Sequence, residues 1–374
     1  MPRRWSALAL GYLCALSFAF VFQSIPPVLS LIIKDLGISH AQAGALMSLF
    51  ALPGIAISIP GGLLADFFGE KRTGLLALVL MILGVVLVAS GKSFAILGLG
   101  RIVSGVGALT LSIVAARLIS SWFAGRELGL AMGIFNTAVP LATIVSLNVF
   151  GILGKGFGWQ IPILLTAGFG LVCLVIFFIF YKPASQSRAR GDFSFFSSLA
   201  KLGSSIWIVG LVWMWFNAAA ISFVTFGSDF FMSKNYSISV AGLLTSFLMW
   251  GAVFLSPLIG YLIDRFGGKR LLIGAGGILM AVALYLIPGV STLLFLLLIT
   301  LAILAVATAM VPVSVFSLPP DIVSSDNLGF GFGVLSTLLN VGVVVGPYVV
   351  GLARDKTGSY LLGFGLMSIF ALFT

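Results

Sequence analysis

Long apolar runs alternate along this chain with short polar breaks. A run of about 20 apolar residues is what a helix needs to cross the roughly 30 Å hydrocarbon core of a bilayer. The breaks predict helices at roughly 5–33, 41–65, 74–91, 93–122, 129–153, 160–181, 205–231, 239–263, 271–288, 292–317, 329–353 and from 360 onward. The last run, Tyr360 to Thr374, is too short to span alone, and helix 12 is expected to be truncated. The first run follows Arg3 and Arg4, as a signal peptide would. It continues through Gln23 and Pro26 to Ile33 without a small-residue cleavage site, so it is expected to be helix 1.

Composition sharpens this reading. The chain is 60% hydrophobic and 8% charged, against roughly a quarter charged in an ordinary soluble domain. No soluble surface can be built from it, and the expected class is an all-α membrane protein. The net charge of +10 comes from small Lys and Arg clusters between apolar runs rather than from one basic face, which argues against nucleic acid. With the N-terminus inside, the cytoplasmic segments carry Arg3, Arg4, Lys71, Arg72, Arg126, Lys182, Arg188, Arg190, Lys201, Arg265, Lys269 and Arg270. The outside carries Lys34, Lys92, Lys155, Lys234, Arg354 and Lys356. Basic residues are retained on the cytoplasmic side, so an N-in, multi-pass protein of the plasma (inner) membrane is expected. Cys14 and Cys173 lie inside apolar runs and show no disulfide or metal pattern.

The longest polar stretch, rich in Ser, Arg and Gly, divides the chain into an N-terminal bundle (1–181), a cytoplasmic linker (182–204) and a C-terminal bundle (205–374). Phe193, Phe195 and Phe196 within the linker fit a short interfacial helix. The two halves also repeat each other. Gly62, Asp66, Gly69, Lys71 and Arg72 match Gly260, Asp264, Gly267, Lys269 and Arg270 at one spacing, each set after the second helix of its half. Apolar helices resemble one another by chance, but an Asp, a Gly and two bases in matching loops do not. These loops resemble the G-x-L-x-D-R-x-G-x-K/R-K/R signature of the major facilitator superfamily, with Phe67 in place of the usual Arg in the first copy and Arg265 present in the second. The resemblance covers the whole chain and implies two pseudo-symmetric six-helix bundles. It also implies a gating role for Gly62, Asp66, Gly69, Lys71, Arg72, Asp264, Arg265, Gly267, Lys269 and Arg270. The bland alternative is that these loops only fix topology.

A second echo pairs Gly129 and Asn136 of helix 5 with Gly333 and Asn340 of helix 11. Helix 11 continues through Gly342, Gly346, Pro347 and Gly351 and resembles the Gly-Pro-rich helix of family antiporters. Helix 5 has only Pro140, which weakens a drug/proton antiporter.

The family resemblance implies a substrate cavity near the midplane lined by helices 1, 4, 7 and 10. Parallel repeats of this kind bind between their halves. The candidate contacts are Arg101, Arg117, Asn136, Asn217, Asn340, Gln23, Thr308 and Trp213. Each neutral group serves equally as a hydrogen bond between helices, and Trp207, Trp215 and Trp250 fit interface anchors. Arg101 and Arg117 both fall in helix 4, about 160° apart around a straight helix, so the two are not expected to face the same cavity. Arg101 shares its face with Gly105, Ala108 and Ser112, and Arg101-x-x-x-Gly105-x-Gly107 resembles the family's helix-4 pattern. Arg117 lies near enough to the cytoplasmic end to snorkel.

No Asp or Glu lies in the middle of a span. Asp35, Asp229 and Asp355 sit near outer ends; Asp66, Glu127, Asp264, Asp321 and Asp326 lie on the cytoplasmic side. A proton pump relying on a buried carboxylate is therefore disfavoured. A buried guanidinium without an acid partner calls for an anion. Residues Ser121 to Gly133 also look similar to family members that handle small anions.

The expected function is alternating-access transport of a small organic anion by a monomer surrounded by lipid. A coupling ion such as H+ is among the candidate partners, and no cofactor is expected. A multidrug exporter is the alternative, and a non-transporting membrane sensor a weaker one. An enzyme is not expected: His40 is the single His, in an outer loop where it would cap or be solvated, and no metal cluster, nucleophile elbow or phosphate loop occurs.

Overall fold

The computed structural model describes residues 3–58, 69–123, 127–182, 202–324 and 327–374. The predicted linker helix, Gly62, Asp66 and Arg126 lie outside the described residues. Among those described, every regular element is helical. Ten helical segments are long and apolar enough to cross a membrane, an eleventh is a bent pair, and a shorter apolar helix follows at Leu361–Leu372.

Span 1 is α1 (Arg3–Phe22), a 3-10 turn (Pro26–Val28) and α2 (Leu29–Leu36). The predicted helix 1 is thus broken, and its cause is local. Pro26 and Pro27 have no N–H, so the carbonyls of Phe22 and Gln23 lose the donors that would continue the helix. Gly37, at φ 62°, ends the span. Span 2 is α3 (His40–Ile57), opened by a capping box: Gln42 N–H donates to Ser39 Oγ, and Ser39 N–H to Gln42 Oε1. Spans 3 and 4 are α4 (Glu70–Ser90) and α5 (Phe94–Phe123).

Span 5 is segmented into α6 (Leu128–Asn136), α7 (Ala138–Val145), a π turn (Ser146–Phe150) and α8 (Gly151–Phe157), and span 6 is α9 (Gln160–Phe180). The second half begins with α10 (Ser204–Ser233). Span 8 is α11 (Ile238–Phe254) and α12 (Ser256–Phe266), bent by 42° just before Pro257. Then come α13 (Lys269–Val290), α14 (Leu294–Ser317), a short α15 (Pro319–Ile322), α16 (Leu328–Thr357) and α17 (Leu361–Leu372). At 1.5 Å per residue α17 is about 18 Å long, short of the bilayer core.

Successive spans alternate between two faces: the N-face, where α1 begins, and the far face, where α3 begins. The halves meet along α3 and α16, and along α11 against α7, the π turn and α8. Lipid tails are as apolar as Leu, so such contacts depend on close packing rather than on expelling water. Small residues provide it. A Cβ on Gly44 would collide with the Pro347 carbonyl, one on Gly351 with the His40 carbonyl, and one on Gly242 with the Leu147 carbonyl.

The contact is uneven across the membrane. The far-face ends of spans 1 and 5 pack on the second half, but the N-face segments α6 and α12 pack mainly on their own halves. Among the described residues, the halves are closed against each other at the far face.

Candidate functional site

Between the halves lies a cavity of about 180 Å³. Span 1 contributes Phe18, the end of α3 contributes Ile57 and Ser58, α5 contributes Leu109, Ser112 and Ile113, and α16 contributes Ser336, Leu339 and Asn340. Asn340 Nδ2 donates to Ser336 O at 2.8 Å and, across the halves, to Ser58 Oγ at 3.2 Å. The floor is thus a polar bridge and the walls are apolar.

Arg101 lies above this cavity and is 1% exposed. Its Nε donates to Leu46 O at 3.0 Å, Nη1 to Val21 O at 2.9 Å and Nη2 to Phe22 O at 3.2 Å. The guanidinium joins spans 1, 2 and 4 and supplies the donor that Pro26 cannot. Its Cζ sits 4.3 Å from the Phe50 ring centre, and Phe50 packs on Phe22 and on the cavity-lining Phe18. No carboxylate pairs with Arg101 among the described residues. Among the described residues its charge is held by carbonyl dipoles, the Met47 sulfur at 3.6 Å and an aromatic face.

The remaining candidates are dispersed. Arg117 faces away from Arg101, as its helical position requires, with Nε 3.5 Å from Glu70. Tyr181 OH also donates to Glu70, and burial beside that carboxylate pushes the Tyr181 phenol well above its usual range. Asn217 Nδ2 donates to Trp213 O within its own helix, and Thr308 Oγ1 sits against Leu248 O, Leu304 O and Ala305 O, binding α14 to α11. Asn136 ends α6, where span 5 breaks. Both amide atoms of Gln23 and the Trp213 Nε1 are buried without a hydrogen-bond partner among the described residues. Of these candidates the structure places Asn340 directly on the cavity wall, together with Ser112, which the sequence singled out only as sharing a face with Arg101. Ser58 and Ser336 join them unannounced by the sequence, because a Ser inside a helix usually bonds its own backbone and carries no distinguishing pattern.

At the N-face, the repeated loops show Gly69 and Gly267 with φ of 81° and 68°, conformations suited to glycine. Lys71 lies over the Phe178 ring. Lys269 donates to Ser317 O and pairs with Asp321 at 2.7 Å, while Arg265 donates to Tyr261 OH. These described contacts stay within one half. Asp264 lies in the last turn of α12, Arg270 at the start of α13 and Arg72 at the start of α4, beside these loops.

The far face holds a cluster that sequence reasoning missed. His40 opens α3 rather than lying in a loop, and its Nδ1 is 3.1 Å from Asp355 while its Nε2 is 3.6 Å from Asp229. Cys14 and Cys173, which carry no pairing pattern in the sequence, lie with their sulfurs 3.7 Å apart as free thiols between spans 1 and 6.

Comparison with known proteins agrees with this architecture. The chain aligns over 100% of its length, and 95% of the other chain, with a bacterial homolog of the human lysosomal transporter Spinster in an inward-facing, unoccupied conformation, at TM-score 0.80 and 19% identity. It aligns at TM-score 0.79 and 15% identity with the nucleoside transporter NupG, covering 98% of each chain. Among curated relatives, the lysosomal dipeptide transporter MFSD1 of Danio rerio is 23% identical over 95% of this chain and 82% of its own length. The hexuronate transporter of Bacillus subtilis (strain 168) is 23% identical over 91% and 85%. The probable sulfoacetate transporter SauU of Cupriavidus necator is 25% identical over 96% and 89%. The sequence profile described as Major Facilitator Superfamily matches residues 11–234 and 230–374. The chain belongs to the Major Facilitator Superfamily and is a multi-pass membrane transporter.

Proposed function

We propose that the protein moves small organic anions, carboxylates foremost, by rocking residues 1–181 against 205–374 about the cavity between Phe18 and Asn340. The observation that carries this reading is the uncompensated charge of Arg101. A guanidinium stays ionised at neutral pH, and this one is fully buried with no carboxylate partner among the described residues. Its field reaches the cavity through Phe50 and Phe18. For unit charges on the order of 10 Å apart at an effective dielectric near 20, the attraction is roughly 1.7 kcal/mol, or more than tenfold in affinity. Direct polar contact would come from Ser58, Ser112, Ser336 and Asn340.

The hexuronate and sulfoacetate transporters among the relatives carry solutes of this class by name. The excess of basic residues on the N-face supports an N-in orientation in the plasma membrane, making the N-face cytoplasmic.

A multidrug exporter is the second reading, favoured by the apolar walls of Phe18, Ile57, Leu109, Ile113 and Leu339. The cavity, at about 180 Å³, is smaller than the roughly 300 Å³ at which sites for drug-sized ligands begin. Small anions therefore fit better.

The test is thermal stabilisation of the purified protein by a panel of small carboxylates, sulfonates and lipophilic cations. Wild type and Arg101→Lys, which keeps the charge, should both be stabilised by one or more anions, whereas Arg101→Gln should lose that response. Stabilisation by lipophilic cations alone, equal in all three proteins, would overturn the proposal.

A further inference from the structure

The far-face cluster joins the two halves through one titratable ring. His40 belongs to the first half. Around it, from the second half, stand Asp355 of α16, Asp229 of α10 and Tyr360 of the turn before α17. Asp355 also accepts the backbone N–H groups of His40 and Ala41, at 2.9 and 2.7 Å. It thereby caps the start of α3 from the opposite half, a contact that does not depend on the state of the ring. Asp229 accepts from the Tyr360 hydroxyl. Arg354 also faces this cluster, with its guanidinium carbon 4.8 Å from the centre of the Tyr360 ring. From its own helix His40 meets the neutral Ser39 and Gln42. The charges acting on the ring are the two carboxylates.

Neutral imidazole carries one N–H; imidazolium carries two. With Asp355 in hydrogen-bond reach of Nδ1 and Asp229 at ion-pair distance from Nε2, the neutral ring donates to one carboxylate and presents a lone pair towards the other, while the charged ring donates to Asp355 and attracts Asp229. We propose that His40 is the proton-binding site of a latch, in which a proton on the imidazole bridges Asp355 and Asp229 and holds the far face closed. When the halves part at this face, His40 leaves with span 2 and both carboxylates leave with spans 7 and 11, so the proton loses its two partners. The closed form binds the proton more tightly, and reciprocity requires that the proton favour closure by the same factor. The latch faces only the far-side solution and sets the balance between the two open states. It needs no carboxylate in the membrane interior. It also stands independently of the anion reading, since it concerns closure and not the solute.

The test uses a spin-label pair on exposed far-face positions, Lys92→Cys in the first half and Leu293→Cys in the second, with Cys14 and Cys173 replaced by serine. Distances are measured in the purified protein without solute from pH 8 to pH 5.5. Acidification should raise the ratio of closed to open populations roughly tenfold, within the usual range of coupling. His40→Gln should abolish that dependence, and Asp229→Asn should move its midpoint to lower pH. Asp355→Asn, which weakens the helix cap, should lower the closed population at every pH. An unchanged distance distribution across the pH range in the parent, or an undiminished pH response in His40→Gln, would overturn the latch.

Discussion

Arg101 donates a 3.2 Å hydrogen bond to the carbonyl of Phe22, the carbonyl that Pro26 deprives of its helical donor. A charged residue in the first bundle thus repairs a break in the helix beside it. The same bond fixes span 1 against span 4 and holds the guanidinium above the cavity.

This relationship predicts coupling between two substitutions. Arg101→Met removes the donor and leaves the Phe22 carbonyl unmet, at a cost of roughly 1–3 kcal/mol, partly offset by relief of burying a charge. Pro26→Ala restores an N–H four residues after Phe22. The loss on Arg101→Met should then be smaller by about 1 kcal/mol in the Pro26→Ala background. A double-mutant cycle of unfolding in detergent measures it, and additive losses would refute the repair.

Close approach of α3 and α16 makes Gly44 critical for closure. A Val there meets the Pro347 backbone carbonyl, which cannot rotate out of the way. Gly44→Val should reduce solute exchange to below about a tenth of wild type by preventing far-face closure, since packing in the membrane depends on such small residues. Gly168→Ala, where the added Cβ meets open space, should leave exchange unchanged. Full activity of Gly44→Val would show that the halves need not touch there.

Cavity groups and helix-binding groups should separate in kinetics. Asn340→Ala and Ser58→Ala each remove part of the bridge across the cavity floor. Each should raise KM by roughly 5- to 10-fold, the worth of about one hydrogen bond, with a small change in Tm. Thr308→Val should do the reverse, because its hydroxyl lies against carbonyls of α11 and α14 away from the cavity lining. Initial-rate kinetics and thermal unfolding of the three variants decide the matter.

The spans were legible because the bilayer imposes length and apolarity on each one separately, as in the run from Phe94 to Phe123. Breaks were harder to read. Pro26 and Pro27 were visible, but whether span 1 bends or stops depends on what meets the freed carbonyls, and Arg101 comes from another span. The same limit applied at the site. Arg101 stood out as a charge in an apolar run, whereas its carbonyl partners have no side-chain signature. His40 was visible as the single His, but its meaning depends on Asp229 and Asp355, which the chain reaches only in its second half. Ser58 and Ser336 could not be told from serines bonded to their own helix, as Ser120 is to Ala116 O.

The most direct test of the account is exchange of a labelled small carboxylate, chosen by the stabilisation panel, into proteoliposomes carrying wild type, Arg101→Lys or Arg101→Gln. The account predicts saturable exchange that unlabelled anions compete away and neutral analogues do not, retained in Arg101→Lys and weakened roughly tenfold in Arg101→Gln. Equal exchange of neutral and anionic solutes, unaffected by removing the charge of Arg101, would contradict it.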